Sequence, residues 1–363
     1  MNTVNLHIKP VAFSSILFYE ELFQSGFWGY FKSYMEKDAL AFVVTYQDCT
    51  FPLVVITRRL GSGYHYLYAP RAPQINLPEE EQGTFLEMLA HALIPHAPEN
   101  TVFIRFDTVW NSPYRYGEEY SEHQWEGPPR SDICEIRMNY FTRNKNLRKP
   151  ATDLLPPSTV ILDVTREEDE IFMKMRQNTR NCIRRAYRKG VTVQNAPIEY
   201  LPAWYELYND TARRKGFTSQ GYDYFHTLFS AADSFWAIAE DSDIVPKFNL
   251  LLATEGKDIL AGIVLGLYGN KAYYLYAGSS TVKRDFMPNY RLQWEAIKIA
   301  KHEGCREYDL FGIPPNNNPN HVQHGLYTFK TGFGGKKIHQ RGCWDYPLIH
   351  ETYQLSRSIE TVL

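Results

Sequence analysis

The chain has 363 residues, enough for about two domains, and its 44% apolar and 22% charged content excludes a disordered tail. With 39 Lys and Arg against 41 Asp and Glu, the formal net charge is -2, which excludes a generic DNA-coating protein with an overall basic excess. Aromatic side chains make up 15%, and 26 of them are Tyr, a residue suited to lining clefts that hold polar ligands.

In chain order, Ser14 to Phe23 reads as a helix. Leu40 to Tyr46 and Pro52 to Thr57 read as strands joined by a turn at Gln47 to Thr50. Tyr64 to Ala69 is a third strand, Gly83 to His96 a helix, and Thr101 to Phe106 a strand ending on Asp107. Asn111 to Pro129 reads as a long surface loop, and the charged, Pro-rich Arg143 to Pro157 as a linker. A strand over Thr159 to Val164 leads to Thr165-Arg166-Glu167-Glu168, which has the form of a capping box. The helix after it is expected to run from Glu167 to Lys189 and stop at Gly190. Helices follow at Tyr200 to Lys215 and Tyr222 to Phe229, then strands at Phe235 to Ala239, Lys247 to Ala253, Ile259 to Leu267 and Ala272 to Tyr276. A helix over Asn289 to His302 and a strand at Glu307 to Phe311 precede a last strand and helix within Lys337 to Leu363. Both halves mix helices with mostly antiparallel strands, an α/β (α+β) pattern without the regular alternation of a doubly wound sheet.

The five cysteines are dispersed and form no CxxC pair, which reads as reduced thiols of a cytoplasmic protein. The N-terminal residues do not have the form of a signal peptide, and no run approaches 18 apolar residues, so a membrane contact is expected to be peripheral at most. From Ile171 to Gly190 there are seven basic residues and no acid. Arg176, Arg180 and Arg184 share one helical face at i, i+4 spacing, and a solvated face or an anionic partner such as RNA are equal readings. Arg58 to Gly63 matches the RxxGxG loop that holds the pyrophosphate of acetyl-CoA, but a strand follows it where a helix is needed, so it reads as a turn. His321 and His324 lie in a loop with no third ligand nearby and read as surface histidines. Lys330 sits among Tyr327, Phe329 and Phe333, a cation in an apolar, glycine-rich loop suited to stabilising an oxyanion or a phosphate.

Several stretches resemble one family. They are Tyr276-Ala277-Gly278-Ser279-Ser280, Arg284, Met287-Pro288, Gln293-Trp294-Glu295-Ala296, Tyr308-Asp309 and Gly325 to Gly335 with its FKxGFGG pattern. Thr179-Arg180-Asn181 with Ile183-Arg184 and Ala186, and Gln24-Ser25 with Trp28-Gly29 and Lys32, extend the likeness. Together they resemble the FemABX peptidyltransferases, in the compact form without a helical arm. The resemblance implies two tandem GNAT-like domains, 1–155 with 336–363 and 156–335. It implies transfer of an amino acid from aminoacyl-tRNA to the stem-peptide amine of a peptidoglycan precursor, either UDP-MurNAc-pentapeptide or lipid II. It implies a cytoplasmic monomer with no cofactor, no metal and no DNA partner. Lys330 matches the family's transition-state lysine, and Asp107 a carboxylate suggested as base. Lys32 matches a lysine on the precursor diphosphate, and Tyr224 and Tyr276 match tyrosines of the precursor cleft, with Arg284 beside them. Where compact members carry an Arg four residues before the first tyrosine, this chain has Gln220, and Arg214 is a nearby substitute. The basic face of Arg176, Arg180 and Arg184 would meet the tRNA. Alternatives are an acyl-CoA-dependent N-acyltransferase or a non-catalytic tRNA- or glycan-binding module of the same fold.

Overall fold

The computed structural model describes residues 6–17, 20–36, 38–115, 128–239 and 245–362. They fall into two units, Met1–Pro157 with His339–Leu363, and Ser158–Ile338.

In the first unit, β2 (Ala39–Tyr46) and β3 (Cys49–Gly61) are the β-branched runs joined at Gln47, whose φ is 52°. β4 (Tyr64–Ala69) returns from β3 through Ser62 and Gly63 at φ 52° and 80°, so the RxxGxG stretch is a hairpin turn. β1 (Leu6–Pro10) borders β2, β5 (Thr101–Asn111) lies parallel to β4, and β12 (Lys336–Pro347) closes antiparallel to β5. α2 (Glu79–Leu93) buries Phe85, Leu86 and Leu89 against Phe42, Leu53, Val55 and Ile104. The opposite face carries α1 (Gly26–Glu36), which starts where Ser25 Oγ accepts the Trp28 amide at 3.1 Å. α3 (Ser131–Met138) precedes the linker, and α10 (His350–Val362) ends the chain. Arg105 is bidentate to Asp345, at 2.7 and 2.8 Å, and the Tyr353 hydroxyl donates to the same carboxylate, tying β5, β12 and α10 together.

The second unit repeats the pairing order. β7 (Thr192–Ala196), β8 (Lys247–Glu255), β9 (Asp258–Tyr268) and β10 (Lys271–Ser279) are antiparallel neighbours. β11 (Glu307–Asp309) is parallel to β10, and β6 (Ser158–Asp163) pairs antiparallel with β11. One face of this sheet carries α6 (Leu201–Lys215) and α7 (Tyr222–Trp236). The other carries α5 (Gln177–Arg188), α8 (Pro288–His302) and the core residues Ile263, Leu265, Leu292 and Ile297. α4 (Glu168–Lys174) and α9 (His324–Thr331) complete the unit.

Several expectations give way. Ser14 to Phe23 holds two short 3-10 turns, Phe13–Ser15 and Leu22–Gln24, while the full helix is α1. Asp107 lies inside β5, not at its end. Of the expected loop Asn111 to Pro129, residues 116–127 lie outside the described residues. Phe235 lies in the last turn of α7 rather than opening a strand, because it continues the buried series Tyr224, Phe225, Leu228 and Ala231 at helical spacing. Thr165 does not cap a helix: its amide and hydroxyl bond Asp163 Oδ1, and α4 starts at Glu168 with Glu167 at its N-cap.

The expected single helix from Glu167 to Lys189 is two helices. Met175 and Arg176 are extended, with ψ of 149° and 145°. The break is filled by the glycine loop after α9: the Arg176 amide donates to Gly332 O at 2.8 Å, and a Cβ on Gly334 would stand 2.5 Å from Lys174 O. Gly334 also has φ 84°. The GFGG pattern therefore serves a close backbone approach that no side chain permits.

Candidate active site

β10 carries side chains to both faces of the second sheet. Tyr274 pairs with Leu265 and Tyr276 with Val264, so Leu275 is an extra residue and the strand bulges there. In a regular strand Tyr274 and Tyr276 would share a face. The bulge separates them. Tyr274 packs on the α8 core, whereas the Tyr276 ring lies 6.3 Å from Tyr208, 5.9 Å from Tyr224 and 5.0 Å from Phe225, on α6 and α7.

On the α6–α7 face the Tyr224 and Tyr276 hydroxyls are 2.8 Å apart. Burial pushes the Tyr276 hydroxyl upward, so it stays neutral. Gly278 two residues on admits α6 closely, since a Cβ there would stand 2.5 Å from the Tyr208 amide. Arg214 is exposed and donates to Ser279 O at 2.9 Å, which places its guanidinium at the end of the strand that bears Tyr276. Arg213 is paired instead with Asp210. Gln220 is exposed just before α7, its amide donating to the Tyr208 hydroxyl and its carbonyl accepting from Tyr205. Arg284 is exposed on a 3-10 turn before α8.

On the α8 face is Lys330. It lies in the last turn of α9, a helix, where sequence reasoning placed a loop. It is 6% exposed, and Nζ donates to Gly312 O at 2.9 Å and sits 5.1 Å from the centre of the Tyr274 ring. The aromatic surface under the ammonium is thus Tyr274, while Phe329 and Phe333 pack on each other and on Tyr290. Tyr274 has Gln293 beside its hydroxyl, and Tyr308 donates to Gln293 Oε1 at 2.7 Å. Burial lowers the Lys330 ammonium to about 7, opposed by the charge of Asp309. Among the described residues Gly312 O is the hydrogen-bond acceptor of Lys330, so an ammonium with three N–H donors has capacity left for an incoming oxygen. Such a group stabilises charge that develops on an oxygen next to it.

The basic run divides by the work it does. Arg180 is half-buried and donates to Met173 O and Met175 O at 2.7 and 2.8 Å, closing the end of α4. Arg184 lies with its guanidinium 5.2 Å from the Phe172 ring. Arg176 is exposed at the start of α5, its amide engaged with Gly332. A groove of about 910 Å³ runs along α5 and is lined by Asn178, Asn181, Arg184, Arg185, Arg188 and Met287, among others. The stripe facing this groove holds Arg184 of the expected trio, with Arg185 and Arg188 in place of Arg176 and Arg180. The break between α4 and α5, invisible in the charge pattern, causes the difference.

In the first unit, Lys32 lies on α1 with Nζ 5.5 Å from the ring centres of both Trp28 and Phe31. Asp107 has no exposed surface, and Tyr68 donates to Oδ2 at 3.0 Å while Oδ1 has no hydrogen-bond partner among the described residues. Burial raises its carboxyl to about 6, moderated by Arg71. Asp107, expected as a base, is thus enclosed within β5 as it is placed. Tyr274 and Asp309 are the members of the Lys330 environment that sequence reasoning assigned no role. The one hint of them was their place in the Tyr-Tyr-Leu-Tyr and Tyr-Asp runs.

Six strands in each unit with one parallel pairing among them, flanked by helices, define a tandem GNAT-like protein. The fold agrees with the crystal structure of FemX, at TM-score 0.68 and 19% identity over 95% of this chain and 96% of that one. It agrees also with a tandem GNAT protein from the clavulanic acid biosynthesis pathway, at TM-score 0.50 and 12% identity over 94% and 98%. The FemAB family model matches residues 11–235 and 242–361, and the chain belongs to the FemAB family. It is 26% identical over 259 residues to the lipid II:glycine glycyltransferase of Staphylococcus haemolyticus, and 24% identical over 261 residues to that of Staphylococcus aureus. Each match takes in 56% of this chain and 62% of the relative, so the chain spans under two thirds of these relatives' length. Among the described residues no helix is long and apolar enough to cross a membrane.

Proposed function

We propose that the protein transfers an amino acid from aminoacyl-tRNA to the side-chain amine of a peptidoglycan stem peptide, and that Lys330 stabilises the oxyanion of this reaction. The observation that carries the reading is the Lys330 ammonium, buried over the Tyr274 ring with donors to spare. Family membership supports the reaction class. The relatives' names make the lipid-linked precursor and a glycyl donor the first pair to test.

The donor ester is already activated, so no enzyme-bound acyl group is needed. The neutral amine nitrogen bonds to the ester carbonyl carbon, the carbonyl oxygen takes the negative charge, and the bond to the ribose oxygen then breaks. The amine releases one proton and the ribose oxygen takes one up. Lys330 lowers the barrier at the charged stage, and holding both substrates in place supplies much of the rest. In this reading Tyr224 and Tyr276, on the face of the sheet opposite Lys330, hold a part of the precursor away from the reacting amine, with Arg214 in the place of the Arg that Gln220 replaces. Arg284 offers charge to the precursor, and Arg184, Arg185 and Arg188 meet the tRNA backbone. The work is placed at the cytoplasmic face of the membrane, where a lipid-linked precursor would present its stem peptide.

The test incubates the protein with glycyl-tRNA and lipid II, and in parallel with UDP-MurNAc-pentapeptide and with acetyl-CoA, and reads the mass added to the acceptor. A gain of one or more amino-acid residues is expected with tRNA present and lost on its omission. Transfer from acetyl-CoA instead would overturn the reading.

A further inference from the structure

Lys330 does not stand alone in its pocket, and the groups behind it form a chain with a defined direction. Thr159, at the start of β6, donates its hydroxyl to Asp309 Oδ1 at the end of β11. The same oxygen accepts the Phe311 amide at 2.8 Å. Phe311 has φ 59°, a left-handed conformation that a bulky side chain adopts only when its surroundings impose it. The next residue, Gly312, turns its carbonyl to Lys330 Nζ. One carboxylate oxygen thereby fixes the turn that aims the acceptor holding the ammonium.

We propose that Asp309 is the positioning residue for Lys330: through Phe311 it orients the Gly312 carbonyl, and through its charge it keeps the ammonium protonated. This rests on the reading of Lys330 given above. Other titratable groups around Lys330 do not offer that charge. Tyr274 under the ammonium and Tyr308 on β11 are both pushed upward by burial and stay neutral. Tyr290, on α8 against Phe329 and Phe333, is pushed upward as well. Asp309 is the charged group acting on Lys330, and it is 7% exposed, so water screens little of its effect.

The two roles separate in two variants. Asp309→Asn keeps an oxygen for Thr159 and the Phe311 amide but removes the charge. Asp309→Ala removes both. The experiment labels lysine with 13C at Cε, assigns the Lys330 signal by its loss in Lys330→Met, and follows its titration in each protein. In Asp309→Asn the midpoint should move down by on the order of one pH unit with little change in Tm. The turnover number relative to the parent should fall at neutral pH with KM nearly unchanged, and this ratio should recover toward lower pH. In Asp309→Ala the midpoint should move and Tm should fall as well. A Lys330 midpoint in Asp309→Asn equal to that of the parent would overturn the proposal. The titration does not depend on any transfer assay. A shifted midpoint in a protein without transferase activity would leave the positioning role intact and overturn the function assigned to the site.

Discussion

At the scale of a residue, Lys330 carries two consequences with opposite signs. An ammonium lowered to about 7 in the fold and near 10.5 unfolded binds fewer protons when folded across that interval. The unfolded state then holds the excess proton, so stability rises as pH climbs from about 7 toward 10, and the full cost of burying the amine is present below 7. At about 1.4 kcal/mol per pH unit, the cost is on the order of a few kcal/mol. Lys330→Met is therefore expected to be more stable than the parent in urea unfolding at pH 6.5, with the gap closing by pH 10. A parent and variant equally stable at both pH values would show that the amine is not buried as described. Function runs the other way, because the same buried charge is what an oxyanion needs. A buried charge that costs stability where it sits marks Lys330 as a candidate for a functional site.

At the scale of an element, the decisive features are a break and a bulge. The charge run from Ile171 to Gly190 was legible in the sequence, but not the interruption at Met175 and Arg176, because the interruption comes from a glycine loop more than 150 residues away. Helical spacing alone therefore named Arg176 and Arg180, whereas the α5 groove is lined by Arg184, Arg185 and Arg188. Arg185→Glu with Arg188→Glu should weaken use of aminoacyl-tRNA at least tenfold and flatten its salt dependence, read as KM between 50 and 200 mM salt. Arg180→Gln should instead act on stability through the end of α4. Gly334→Ala should cost about 1–3 kcal/mol in unfolding, since its Cβ would meet the Lys174 carbonyl at 2.5 Å. The β10 bulge was hidden for a related reason. Period-two alternation puts Tyr274 and Tyr276 on one face, and one inserted residue sends them to opposite faces.

At the scale of the whole molecule, most strands of both sheets were legible from their β-branched and aromatic runs, and the glycine-aromatic pattern around Lys330 pointed to the FemAB family. The helix α9 was not, because its eight residues lie among prolines, asparagines and glycines that read as loop. Nor was the enclosure of Asp107, which follows from β5 continuing four residues past it to Asn111. The repeated pairing order, three antiparallel pairs, one parallel pair and one antiparallel pair in each unit, cannot be seen in residue identities. It depends on backbone pairing, which side chains of many kinds satisfy.

The central claim is that a protonated Lys330 stabilises the oxyanion of aminoacyl transfer. The direct measurement is single-turnover transfer from glycyl-tRNA to lipid II between pH 6 and 9, with the parent and Lys330→Met. The account predicts a variant slower than the parent by roughly 100- to 1000-fold at pH 6.5 with its fold intact, and a parent-to-variant ratio, in which ionisation of the acceptor amine cancels, that declines as pH rises through about 7, where the ammonium is lost. A folded Lys330→Met that transfers at the parent rate, or a parent-to-variant ratio that rises through pH 7 as a neutral amine base would require, would contradict it.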